Sequence, residues 1–104
     1  MLGCVGINQI NRVNLLANMG YWVRASRTGA GIASTAARLA SRFGFASLGL
    51  ARIEIVVLPD DGASRRVAEK VGAQYEGLAR SRLQFGDETR DAAMHSLVRG
   101  DLPQ

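Results

Sequence analysis

Cysteine and histidine are nearly absent. Cys4 is the only thiol, which excludes an internal disulfide and any multi-cysteine zinc site. His95 is the only imidazole, so a mixed His/Cys metal cluster is not expected either, and no metal is assigned. Long apolar runs are missing as well. The longest are short stretches such as Ile55–Leu58, far below the ~20 residues of a membrane helix. The opening Leu2-Gly3-Cys4 mimics a lipoprotein cleavage box, but no basic, apolar leader precedes it. The expected location is therefore the cytoplasm, with no membrane partner. Aromatic residues are few, at one tryptophan, two tyrosines and three phenylalanines. A single-strand nucleic-acid platform needs exposed aromatics along a basic groove, so that reading ranks last.

What remains is a chain of 104 residues with 47% hydrophobic and 21% charged residues, enough for one folded domain spanning residues 1–104. Its formal charge is +4, and every basic residue except Lys70 is arginine. That balance favours phosphate-bearing partners, because the guanidinium fork grips phosphate through two bonds. The arginines are scattered, with only Arg65 and Arg66 adjacent, which argues against a nucleic-acid tail.

Along the chain, Leu2–Ile10 and Leu15–Val23 read as strands joined by a polar turn at 8–14, a hairpin. Arg24–Gly31 reads as a loop by composition. From Ile32 the period becomes helical, with Ile32, Ala36, Leu39, Ala40, Phe43 and Ala46 on one stripe, Arg38 and Arg42 opposite, and Gly49 as the stop. Ile53–Leu58 reads as a central strand, broken by Pro59-Asp60-Asp61-Gly62. A short helix over Ala63–Val71 carries Val67, Ala68 and Val71 inward and ends at Gly72. Gln74–Phe85 and Ala92–Val98 read as the last two strands, joined through Gly86-Asp87-Glu88. The predicted order is β-β-α-β-α-β-β, a mixed α/β fold with at least one parallel crossover over the long helix.

The segment with chemical content is strand, glycine-rich turn, helix: Gly20-Tyr21-Trp22-Val23 followed by Thr28-Gly29-Ala30-Gly31-Ile32-Ala33. Free amides at a helix start and the helix dipole make an anion site suited to phosphate. Glycine at such a turn also serves purely conformational ends, so the pattern alone leaves both readings open. Two other phosphate loops are excluded. A dinucleotide fingerprint needs a glycine where Ser34 stands, and a P-loop needs Gly-Lys-Ser/Thr, whereas Lys70 is the only lysine.

In order and spacing the chain resembles the C-terminal two-thirds of a GCN5-related N-acetyltransferase (GNAT), of the ribosomal-protein-alanine acetyltransferase-like branch. The likeness runs through Gly20–Val23, Thr28–Ala33, Leu48–Glu54, Pro59–Ala73, Glu76–Arg80 and Asp91. It implies a GNAT-type mixed sheet lacking the N-terminal β-α-α-β elements, with acetyl-CoA as co-substrate and an amine as acceptor. It also implies that the amides of Gly29, Ala30, Gly31, Ile32 and Ala33 hold the pyrophosphate. Trp22, Val23 and Arg24 would line the pantetheine arm, and Asp61 and Ser64 would stand beside the thioester. Several positions depart from the family pattern. Thr28 replaces an Arg or Gln, with Arg27 beside it as a substitute. Asp61 replaces an Asn, and a carboxylate there would repel CoA phosphates yet could cap the following helix. Asn18 stands where many relatives carry a glutamate base, Ala68 where other branches carry a tyrosine acid, and His95 where the family has an aromatic residue.

Two residues are candidate catalytic groups, each with a plainer alternative. Ser64 either donates a proton to the leaving thiolate or satisfies backbone amides at a helix start. Glu54, opposite in phase to Ile53 and Ile55, either reaches a cleft as a base through water or is an ordinary ion-paired carboxylate. His95 reads as a packing or surface residue, and Cys4 as a small core residue. The implied activity is direct attack of a neutral amine on the thioester. The alternative, from another class, is a non-catalytic CoA-binding or oligomerisation module. The resemblance implies that Leu2–Ile10 is a central strand with one of its two neighbours outside this sequence, so a homodimer or larger assembly through the N-terminal hairpin is expected. A lysine at Val5 or Ile7 is expected to weaken it.

Overall fold

The computed structural model describes residues 3–23 and 27–101, with side chains described at 6–20 and 33–101. The elements follow the expected order: β1 (Gly3–Asn11), β2 (Leu16–Val23), α1 (Arg27–Ala46), β3 (Arg52–Val57), α2 (Gly62–Val71), β4 (Gln74–Phe85) and β5 (Glu88–Val98), then a short 3-10 turn at Arg99–Asp101. They build a five-stranded sheet in the order β1-β2-β3-β5-β4. β2 and β3 are parallel, with α1 as the crossover, and every other neighbouring pair is antiparallel. The last hairpin thus inserts β5 between β3 and β4. β1 and β4 are the edges.

Alternation along the strands sets the two faces. Ala17 and Met19 on β2, Ile53 and Ile55 on β3, and Ala93 and Leu97 on β5 are buried together with Ala33 and Ala37 of α1 and Val67, Ala68 and Val71 of α2. Both helices therefore cover the same face. The opposite face carries Asn18, Arg52, Glu54, Val56 and Met94, all half-buried.

The β1–β2 turn is fixed by Asn11, whose Oδ1 accepts from the amides of Val13 and Asn14, each at 3.0 Å. Ile7 points to the helices, against α1 at Gly44. A lysine there would break packing under α1 rather than report on association. Val5 lies outside the described side chains.

α1 departs from expectation twice. It begins at Arg27, not Ile32, so the glycines at 29 and 31 sit in its first turns and not in a loop. Glycine is costly in a helix by only ~1 kcal/mol, which tertiary packing overrides. Its buried side is also out of phase with the expected stripe. Ala33, Ser34, Ala37, Ser41, Gly44 and Phe45 face inward, while Leu39 and Phe43 are 60% and 54% exposed. The cause is close approach to the sheet. A Cβ at Gly44 would lie 3.1 Å from Ile7 Cδ1 and 3.2 Å from Cδ1 of both Ile53 and Leu50. Only small side chains fit that seam, and Ser41 satisfies its hydroxyl on Ala37 O at 2.7 Å. Arg38 is not simply outward. It donates to Lys70 O at 2.6 Å, placing a cation at the C-terminal end of α2.

α2 keeps Val67, Ala68 and Val71 inward as expected. Gly72 ends it in the left-handed region at φ 99°. β5 starts at Glu88, four residues before Ala92, because the β4–β5 ladder runs on to Phe85 opposite Glu88. That outer stretch is exposed on both faces and so lacks the alternation that marks a strand.

Candidate active site

The central irregularity of the sheet is between the two parallel strands. β2 and β3 pair at only three registers, Leu16 with Arg52, Ala17 with Ile53 and Asn18 with Glu54. Both strands continue, to Val23 and Val57, but among the described residues no further β2–β3 register forms. The two strands part at their carboxyl ends, where open α/β sheets place their ligands. Each is followed by a helix whose N-terminus lies at that end: α1 after β2 and α2 after β3.

In a helix starting at Arg27, the amides without an intrahelical partner belong to the first turn, around Arg27, Thr28 and Gly29. Those of Gly31, Ile32 and Ala33 bond back along the helix instead, and the Ala33 side chain is buried in the core. The expected anion-facing set is thereby shifted toward the helix start, with Ala30 at its limit. Trp22 and Val23 end β2, Arg24 lies outside the described residues, and the side chains of Trp22 to Val23 and Arg27 to Ile32 are outside them too.

At α2 the geometry is fully defined. Asp61 is the N-cap, its Oδ1 accepting from Ser64 N at 3.1 Å and its Oδ2 from the Ser64 hydroxyl at 2.7 Å. The carboxylate is thus engaged in capping. Ser64 is 6% exposed and held by that cap. This is the structural role weighed for it above. Beside this helix start, Leu58, Pro59, Asp60, Thr89, Arg90 and Asp91 line an open cleft of about 420 Å³ between the end of β3 and the start of β5.

Glu54 lies on the other face of the sheet from α2, so the two catalytic candidates do not converge. Glu54 occupies the last paired register before β2 and β3 separate. Its Oε2 accepts from Arg52 Nε at 3.1 Å and Nη2 at 3.0 Å. The same guanidinium grips Glu76, with Nη2 to Oε1 at 2.5 Å and Nη1 to Oε2 at 3.0 Å, and the Ser96 hydroxyl donates to Glu76 Oε2 at 2.8 Å. Arg52 first and Ser96 second hold the Glu76 carboxyl down to about 2, and Glu76 in turn raises the Arg52 guanidinium further above its ordinary value. Sequence reasoning missed Arg52, Glu76 and Ser96. The available signal was Gly77, a glycine inside a strand pattern, which marks a bulge.

His95 is 2% exposed, on the helix side of β5, with its ring 5.3 Å from that of Tyr75 and, among the described residues, no hydrogen-bond partner of good geometry at Nδ1. Burial, reinforced by Arg65, pushes the imidazole below its usual range. Of the two readings the sequence allowed, packing or surface, it takes the first. Among the described residues no group of His, Cys, Asp or Glu is arranged to hold a metal ion, and no helix is long and apolar enough to cross a membrane.

Comparison with known proteins identifies this architecture. Residues 1–74 match the acetyltransferase (GNAT) domain family, and the chain belongs to it. A probable N-acetyltransferase of Bacillus subtilis (strain 168), YjcK, is 34% identical over 105 residues, covering all of this chain and 58% of the relative. The structure of Mycobacterium smegmatis RimJ, solved in complex with CoA-disulfide, superimposes with a TM-score of 0.86 at 35% identity over 99% of this chain and 50% of that one. The ribosomal-protein-S5-alanine acetyltransferase of Vibrio fischeri shares the fold, with a TM-score of 0.82 at 24% identity over 99% and 57% of the two chains. The chain spans about half the length of the relatives it matches.

Proposed function

We propose that this chain binds acetyl-CoA where β2 and β3 part and forms the cofactor-binding half of a cytoplasmic N-acetyltransferase acting on a primary amine, either a protein N-terminus or a small molecule. The observation that carries this reading is the β2–β3 separation beyond Asn18 and Glu54, flanked by two helix N-termini. An unpaired strand edge offers amides and carbonyls to an extended amide-containing arm. The first turn of α1, around Arg27, Thr28 and Gly29, offers amides and a positive dipole end to a pyrophosphate. The residues present therefore fit the ligand. Asp61 keeps its charge, but both its oxygens are engaged by Ser64 at the helix cap. Acetyl-CoA supplies the thioester acetyl group. The chain supplies orientation, backbone donors to polarise a carbonyl, and Glu54 as the carboxylate at the last β2–β3 register. The family membership and the CoA complex of a 35% identical neighbour support the reading.

The test is thermal unfolding with CoA. A ligand that binds only the folded state raises the melting temperature, by more as its concentration passes the dissociation constant. Millimolar CoA is expected to stabilise the chain, and Gly29→Asp to remove that effect. An acidic residue in the first turn favours the helix itself, so loss of the response would report anion binding and not unfolding. A wild-type melting curve indifferent to millimolar CoA sinks the reading. The second reading, a CoA-binding or oligomerisation module without transfer activity, is favoured by Ser64 being committed to the cap. It predicts the same stabilisation with no thiol release from acetyl-CoA in the presence of amines. We also infer a homodimer or larger assembly through the free edge of β1.

A further inference from the structure

The proposed chemistry needs a carboxylate held still at the point where the strands separate, and Glu54 alone does not explain how it is held. Three neighbouring strands contribute. Arg52 and Glu54 stand two residues apart on β3 and so share one face. Across the sheet, Glu54 is opposite Ser96 on β5, and Ser96 is opposite Gln74 on β4. The β4 ladder then slips between Tyr75 and Gly77, with Gly77 at φ 123°. Such a bulge re-aims a side chain, and bulges recur beside active sites. Here it brings Glu76 to Ser96 and Arg52, while Tyr75 stays with His95 on the helix side.

Resting on the acetyl-transfer reading above, we propose that Arg52 is a positioning residue: clamped by bulged Glu76, it fixes Glu54 through Oε2 at the last β2–β3 register and leaves Oε1 to receive the proton of the acceptor amine. The geometry favours this over an ordinary surface ion pair. Arg52 and Glu54 are only 29% and 24% exposed at their side chains, the guanidinium donates four bonds to two carboxylates, and both bonds to Glu54 fall on a single oxygen. Among the described residues nothing holds Oε1. With one guanidinium against two carboxylates, the group also carries one net negative charge, which suits an acceptor arriving as an ammonium ion. One ammonium proton passes to Glu54. The freed nitrogen lone pair forms the C–N bond as the C–S bond breaks, the second proton leaves with the sulfur as thiol, and Glu54 returns its proton to solvent.

The experiment measures two things on the same proteins, the CoA-induced rise in melting temperature and thiol release from acetyl-CoA with an alanyl peptide or spermidine as acceptor. Arg52→Gln and Glu76→Gln are expected to keep the CoA response and the KM for acetyl-CoA but to lose roughly ten- to hundredfold in kcat, the scale of a misplaced catalytic group. Arg52→Lys, which keeps the charge but not the fork, is expected to recover part of that loss. A purely structural role would lower the melting temperature of all three variants and leave the kcat of the folded fraction alone, and that result overturns the inference. CoA stabilisation with no thiol release from wild-type protein overturns it too, while leaving CoA binding intact. Absence of any CoA response in wild-type protein removes the underlying reading and the inference with it.

Discussion

At the scale of single residues, His95 is the group whose protonation the fold resists. Its imidazole is buried against Tyr75, with Arg65 adding repulsion, while Glu69 and a backbone bond at Ala93 oppose the shift more weakly. A histidine held below its ordinary 6.5 binds fewer protons folded than unfolded, so its contribution is complete above that value and is lost as pH falls below it. Unfolding free energy is expected to decline from about pH 6.5 downward, and His95→Phe to flatten that decline. Glu76, with its carboxyl at about 2 against 4.5, adds a second loss between those values in both proteins. Urea titrations across pH 3 to 8 check this, and an unchanged profile in His95→Phe would refute the assignment. The place of His95 in the last strand left packing and surface both open, and the side that faces the helices decides for packing. The Arg52–Glu76 clamp was not read, because it depends on a ladder slip that periodicity does not announce and that Gly77 alone marks in the sequence.

At the scale of elements, α2 was legible almost to the residue, since each of its ends has a local chemical cause: Asp61 before it and Gly72 after it. Asp61→Ala is expected to cost about 1–2 kcal/mol, the range of a lost N-cap, because its bonds to the Ser64 amide and hydroxyl are both removed. Asp61→Asn should cost less. The midpoint of denaturant unfolding at constant slope measures both, and an Asp61→Ala midpoint equal to wild type would deny the cap its role. α1 was the element misread. Its glycines weigh as loop residues in composition, and its large apolar residues Leu39 and Phe43 mark a stripe that the packing does not use. Apart from Phe45 in the last turn, the inner stripe is made of alanine, serine and glycine, whose small size matters only once the sheet beneath is known. The anion site at its start was legible as chemistry, yet the amides available to it depend on where the helix begins.

At the scale of the molecule, the strand order leaves β1 at a free edge, where Gly6, Asn8 and Ile10 are exposed. An unpaired row of amides and carbonyls is a template for another strand. Light scattering at tens of micromolar is expected to give a mass above the 11.1 kDa of one chain. Ile10→Lys, at a position 42% exposed and away from the α1 seam, is expected to lower that mass without unfolding the protein. A monomer at that concentration contradicts the assembly. The short run of β2–β3 pairing has one more consequence. It divides the sheet into a hairpin, β1–β2, and a three-stranded unit, β3–β5–β4, joined by three registers and by the helices laid across them. The two parts are therefore separate units of local opening, the hairpin exchanging its amide hydrogens at lower free energy than the strands around β5. A molecule lodged between β2 and β3 would act as a splint, turning two loosely coupled pieces into one.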